Sequence, residues 1–413
     1  VLRHDIRPTR LHALATALIA SAAALTAAAP AQAAGPKPLP PVPPPIQAPQ
    51  PAPEGTAFDG DGMWIWYVSQ SGRTATNIAR KATAYGIETV FIKSSDGANG
   101  WSQFSPGLVN ALHARGIKVC AWQYVYGNRP TAEARQGRRA VRAGADCLVI
   151  DAESEYEGKY ASASTYMRKL RAYIGADYPL GLAGFPYVDY HPGYPYSVFL
   201  GPNGAQFNVP QMYWRDIGTS VDEVYDHTYL HSQLYARPIY PLGQLYQRPP
   251  RSQIVRFRQM AFTHGARGVS WWSWQSATAG GFRALAEPLD PIAAQVAPYP
   301  VAPTLTKGAR GDRVVWAQQH LRAVGESVKV NGVFDTRTKT AVKSYQETSL
   351  LPVTGALDPL TWQSLLARPP AKVRWSKSRR GVTAARAGVA VLPPPRSARL
   401  PARENEIEAK RHR

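Results

Sequence analysis

Between residues 59 and 290, short apolar runs alternate with amphipathic stretches. The runs cover 63–68, 89–92, 118–125, 147–151, 180–185, 208–214, 238–245 and 268–274, and they are rich in Val, Ile, Tyr and Trp. Unbroken apolar character over so few residues is what a strand buried on both faces needs. The intervening stretches 76–85, 106–115, 132–142, 164–174, 221–234 and 252–264 read as helices. Gly86, Gly116, Gly144 and Gly265 each fall between a helix end and the next strand, where a left-handed C-cap favours glycine. Eight strand-then-helix units predict an α/β fold, a (β/α)8 barrel over 59–295. A doubly wound open sheet would carry a Gly-rich phosphate turn after its first strand, and none follows 63–68.

The pattern changes at 304–367. Val314, Ala317 and Leu321 recur on one helical face, and Asn331-Gly332-Val333-Phe334-Asp335 breaks the chain before Thr338, Ala341, Val342 and Tyr345. Asp358 reads as an N-cap with Pro359 at the first helical position. A small module of three helices is expected. Its spacing closely resembles the peptidoglycan-binding domain found beside wall hydrolases, which implies peptidoglycan glycan strands as the partner.

In a barrel, chemistry belongs at the C-terminal strand ends. The second strand runs into Lys93-Ser94-Ser95-Asp96, the third into Trp122-Gln123-Tyr124 and the fourth into Asp151-Ala152-Glu153. The fifth leads to Tyr187, the sixth to Gln211 and Tyr213, and the eighth to Trp271-Trp272-Ser273-Trp274. Asp151 and Glu153 are two apart, so both side chains leave the strand on one side. Next to Leu148-Val149-Ile150, a carboxyl group is drawn toward the neutral pKa that a general acid needs. Eight of the 11 Trp lie between Trp64 and Trp274, and aromatic faces stack on sugar rings. Lys93, Asp96, Trp122, Tyr124, Tyr187, Gln211, Tyr213, Trp272 and Trp274 are the expected lining of a sugar cleft.

Residues 60–285 resemble the family-25 glycoside hydrolases, secreted muramidases with a TIM-like barrel. Lys93-Ser94-Ser95-Asp96-Gly97 stands where that family has a K-A-T-E-G-like motif. Gly116–Tyr124 matches its third strand, and Asp151-Ala152-Glu153 its catalytic D-x-E. The resemblance implies Glu153 as the acid and Asp151 as its supporting partner, in substrate-assisted hydrolysis of β-1,4 links. The family's acids on the first and last strands have no counterpart in Gly62–Ser69 or Gly268–Gln275. Two readings stay open: a divergent hydrolase, or a barrel that binds envelope glycan without cleaving it. Neither requires a cofactor or a metal.

The 413-residue chain has a net charge of +20 with 18% charged residues, so it has apolar residues enough for a core. Arg3, Arg7 and Arg10, an Ala- and Leu-rich stretch and Ala31-Gln32-Ala33 predict a cleaved secretory signal over 1–33. A Pro-rich spacer over 34–58 follows. Export would leave no stable transmembrane anchor. It would also turn the basic, disordered 368–413 tail toward anionic wall polymers rather than nucleic acid. Cys120 and Cys147 fall on neighbouring strands and could pair in an oxidising compartment, but paired parallel strands rarely give good disulfide geometry, and free buried thiols are the favoured reading. The nine histidines are read as scattered, with no H-x-x-H or H-x-x-x-H pair and hence no metal site.

Overall fold

The computed structural model describes residues 55–289 and 302–375. The expected signal, most of the Pro-rich spacer and most of the basic tail lie outside the described residues. Among those described, no helix is long and apolar enough to cross a membrane.

The strands are β1 (Gly60–Ile65), β2 (Thr89–Asp96), β3 (Asn99–Gly100), β4 (Lys118–Val125), β5 (Cys147–Ala152), β6 (Leu180–Ala183), β7 (Phe207–Asn208), β8 (Leu242–Gln244) and β9 (Gly268–Trp272). All pairings are parallel except that of β3, a two-residue flap folded antiparallel onto the end of β2. The other eight run in the order β7-β6-β5-β4-β2-β1-β9-β8. Single parallel bridges, Asn208 to Ile239 and Gln211 to Leu242, join the two ends of that order. The result is an eight-stranded parallel barrel, as the alternating pattern predicts.

Period-two alternation divides the barrel residues between two cores. Phe58, Trp64, Phe91, Cys120, Trp122, Cys147, Val149, Phe207 and Leu242 fill the interior. Met63, Ile65, Val90, Ile92, Leu148 and Ile150 face outward and pack with Ile78, Leu112, Leu170 and Phe257 of the surrounding helices. β4 and β5 pair in register, Cys120 with Cys147, Trp122 with Val149 and Tyr124 with Asp151. Each of these pairs is one layer of the interior, so the register sets Tyr124 and Asp151 two layers above the cysteines.

That register overturns the expectation of two free thiols. Cys120 and Cys147 form a disulfide, with Cα atoms 4.6 Å apart. Neighbouring parallel strands can be bridged when both cysteines occupy directly paired, inward-facing positions, and the Cα separation lies within the usual range.

The C-terminal module has helices Asp312–Ala323, Thr336–Thr348 and Pro359–Leu366. Asp335 and Asp358 cap the second and third through Thr338 N and Thr361 N, both at 2.8 Å. The first helix packs against the barrel. Asp312 is buried, and its carboxylate accepts from Tyr160 Oη (2.8 Å), Ser197 Oγ (2.6 Å), Ser197 N (2.7 Å) and Tyr235 Oη (2.7 Å). Its own N–H donates to Pro192 O (2.7 Å), and Trp316 Nε1 donates to Leu234 O (2.6 Å). The module is thus held on the barrel by buried hydrogen bonds as well as by apolar contact.

Candidate functional site

At the C-terminal mouth of the barrel, β5 delivers Asp151, and the turn after it delivers Glu153 and Glu155. Asp151 is buried and Glu153 is partly buried. Gln211, 6% exposed and just past β7, donates through Nε2 to Asp151 Oδ1 (3.1 Å) and to Glu153 Oε1 (3.2 Å). One amide therefore clamps both carboxylates. Burial pushes Glu153 up to about 7, an effect that the Gln211 and Tyr124 hydrogen bonds and Lys93 oppose and that Glu155 adds to. Burial and then Glu153 itself push Asp151 well above the usual carboxylate range, against the pull of Lys93. Two carboxyl groups that both resist ionisation share protons as a pair, so the pair retains a proton near neutrality.

Lys93, 2% exposed, is the cation of the site. Its Nζ donates to Asp96 Oδ2 (2.8 Å) and lies 4.6–5.0 Å from the ring centres of Trp101, Trp66 and Trp122. A buried ammonium among aromatic faces gains cation–π attraction while its carboxylate partner limits the desolvation cost. Tyr126 Oη donates to the other Asp96 oxygen (2.7 Å), and Tyr124 Oη donates to Glu155 Oε2 (2.9 Å). Gln103 donates to Lys93 O (3.0 Å) and Trp66 O (2.7 Å), tying the β2–β3 flap to the end of β1.

The expected lining residues divide into three groups. Asp151, Glu153, Gln211, Lys93, Asp96 and Tyr124 come together through the contacts above. Tyr213 is 5% exposed; burial above all, then Tyr246 and the charges of Asp151 and Glu153, raise its pKa, so it lies within electrostatic reach of the pair. Trp122, 1% exposed, lies under Lys93 and meets Trp272 edge-to-face at 5.3 Å, and Trp122 Nε1 donates to Ile65 O (3.1 Å). They form the floor of the mouth.

Trp274 and Tyr187 stand apart from the carboxylates. Trp274 is 4% exposed and packs on Phe282 outside the barrel, beneath the Lys81 ammonium. The run of three Trp does not open a cleft, because Trp271 is also buried outward, against Phe257. Tyr187 stacks on His227 at 3.9 Å and meets Tyr190 edge-to-face.

Sequence reading places Glu155 behind the acid pair and allows Trp66 to be core, and gives neither them nor Trp101 and Tyr126 a place in the cleft; the four complete the mouth. Only the β3 flap, too short to have a pattern, brings Trp101 over Lys93. It also passed over His227 and His231, which are four apart on the helix Val221–Ser232 and do form an H-x-x-x-H pair. With Asp189 they are a cluster of the composition that holds metal ions. His227 Nε2 lies 2.7 Å from Asp189 Oδ1, and His231 Nε2 lies 3.6 Å from Oδ2. Arg313 of the module donates to His231 Nδ1 at 3.0 Å. A neutral imidazole that accepts at Nδ1 carries its proton on Nε2, where a metal would need a lone pair. The partly buried guanidinium thus favours a hydrogen-bonded latch between module and barrel over a cation site.

Residues 310–365 match the peptidoglycan binding domain family. No curated protein matches the chain. Similar solved structures include the spore cortex-lytic enzyme SleL of Bacillus cereus, 11% identical over 56% of this chain and 75% of that one, TM-score 0.43. A chitinase from Chromobacterium violaceum is 12% identical over 55% of this chain and 98% of that one, TM-score 0.43. The mannanase catalytic domain from Streptomyces sp. SirexAA-E is 16% identical over 56% of this chain and 85% of that one, TM-score 0.42. Likenesses this distant select no chemistry for the barrel.

Proposed function

We propose that the protein is an exported wall enzyme whose barrel hydrolyses β-1,4 links in peptidoglycan glycan strands while the helical module holds the polymer. The observation that carries this is the Gln211 clamp on Asp151 and Glu153. It keeps two proton-retaining carboxyl groups at the mouth of a barrel, above an aromatic floor. In the proposed reaction Glu153 is the general acid: its proton goes to the glycosidic oxygen as the bond to the anomeric carbon breaks. Asp151 orients the substrate's acetamide, whose carbonyl oxygen attacks the anomeric carbon, and water then opens that intermediate. Lys93, Asp96, Tyr124 and Tyr213 line the cleft, and Trp272 gives the sugar an apolar face. The match at 310–365 supports peptidoglycan as the substrate, and the signal-like N-terminus supports export.

The test is release of reducing ends from purified peptidoglycan by the protein and by Glu153→Gln. Turnover by the wild type that drops by about a thousandfold in the variant supports the reading, the scale of losing a positioned acid. A second reading is favoured by the absence of acids from the ends of β1 and β9: a barrel that binds glycan without cleaving it. It expects no turnover from either protein and equal sedimentation of both with walls. Cleavage of a different polysaccharide with peptidoglycan untouched would move the substrate and keep the site.

A further inference from the structure

After the third module helix the chain turns back along the first. Ala371 N donates to Gln319 O (3.0 Å), and the strap brings Trp375 against Tyr160 of the barrel, ring centres 4.6 Å apart. Val373 and Trp375 cover the small core of Tyr160, Val315 and Val330. Between Trp375 and the loop that follows the first module helix lies an open, polar pocket of about 650 Å³, a size that suits a small organic ligand. Arg322, Lys329 and Arg337 line it, with Glu326 as the sole acid. Glu326 already accepts from Ser344 Oγ (2.9 Å). Among the described residues neither Arg322 nor Lys329 has a side-chain hydrogen bond or an ion pair, and both are exposed. Trp375 lies outside the 310–365 match, so one wall of the pocket comes from the strap rather than from the matched module.

We propose that this pocket binds a carboxylate-bearing peptidoglycan fragment, with a sugar ring on the Trp375 indole and the peptide-stem carboxylates between Arg322, Lys329 and Arg337. Guanidinium groups pair with carboxylates through two parallel hydrogen bonds, and an indole face suits the apolar face of a sugar. The proposal rests on the reading that the module binds peptidoglycan. It differs from that reading in naming the surface and the charge it recognises.

The test uses calorimetric titration of the full chain with a soluble disaccharide-tetrapeptide, the same fragment with its carboxylates amidated, and a glycerol-phosphate polymer. Each is run against wild type, the double variant Arg322→Ala/Lys329→Ala, Trp375→Ala and the control Lys307→Ala/Lys343→Ala. Sedimentation with insoluble walls is measured in parallel. Expected is a Kd weakened by at least about tenfold, in the pocket variants and for the amidated fragment, with the control unchanged. Equal binding by wild type and the cation double variant would overturn the pocket and leave the module reading standing. Equal binding of the amidated fragment, or preference for the phosphate polymer, would overturn the carboxylate assignment. A wild type that neither binds the fragment nor sediments with walls would remove the module reading itself.

Discussion

Asp312 gives the sharpest test of how the two parts are joined. It is a buried carboxyl with four hydrogen-bond donors, and burial still pushes it up to about 6, the hydrogen bonds from Ser197, Tyr235 and Tyr160 opposing the rise. A folded-state pKa above the unfolded value of 3.8 means that the folded chain holds this proton more tightly. Stability from this group is therefore fully present below pH 3.8 and is lost as pH rises through 6. At 1.36 kcal/mol for each unit, the whole loss from below the unfolded pKa to above the folded one is about 3 kcal/mol. Two substitutions separate charge from hydrogen bonding. Asp312→Asn mimics the protonated acid: its carbonyl takes the Oδ2 place, accepting from Ser197 N and Tyr235. Its NH2 then faces Tyr160 and Ser197 Oγ, hydroxyls that can turn to accept. It should match or exceed wild type at pH 7 and lack this pH dependence. Asp312→Ala strands the fixed Ser197 N–H and costs about 3 kcal/mol at pH 4.5, a buried donor left unpaired together with weakened hydroxyls. At pH 7.5 the Ala loss shrinks, because the charged form that it removes is itself disfavoured there. The assay is urea unfolding at both pH values, with hydrogen exchange of the residue-312 amide, bonded to Pro192 O, as the local readout of docking. Early release of that amide in the Ala variant is expected. A larger Ala loss at pH 7.5 than at pH 4.5 would refute the reasoning, since it would mean that the interface prefers the anion.

The remaining tests address the mouth and the core. Loss of the proton on Glu153, held up at about 7, should make reducing-end release fall as pH rises above 7; a flat rate from pH 6 to 9 would count against Glu153 as the acid. The Gln211 hydrogen bond lowers the Glu153 pKa, so Gln211→Leu should move that alkaline limb to higher pH while reducing the maximal rate, read from a full pH–rate profile. Replacing Cys120 and Cys147 together with Ala and Val removes a crosslink between residues 27 apart. The denaturant midpoint should fall by the equivalent of about 3 kcal/mol, and the same fall should follow reduction of wild type. His320, buried and held down at about 4, opposes Asp312 in sign. Its stability contribution rises with pH from 4 to 6.5, and His320→Gln should flatten that limb of the thermal-melt profile.

How far the sequence carries depends on whether a feature has a local period. β4 is found at 118–125, as expected, because a strand buried on both faces is apolar at every position. The D-x-E pair is legible for the same reason, since two residues apart on a strand means one side. The expected strand at 208–214 shrinks to Phe207–Asn208, because Pro210 has no N–H for a ladder and only a single bridge follows at Gln211. The irregular backbone there is what sets the Gln211 amide between Asp151 and Glu153, 60 and 58 residues away in sequence. Asp312 meets Ser197 across 115 residues, and no periodicity encodes such a bond. The three Trp at the end of β9 mislead for a related reason. Composition put aromatic surface there, but strand alternation sends Trp271 outward and Trp272 inward, and only the inward one reaches the Lys93 floor. Pattern thus places the barrel, the module and the acid pair. The clamp on that pair and the weld between the two parts come from polar contacts that form only once the chain has closed on itself.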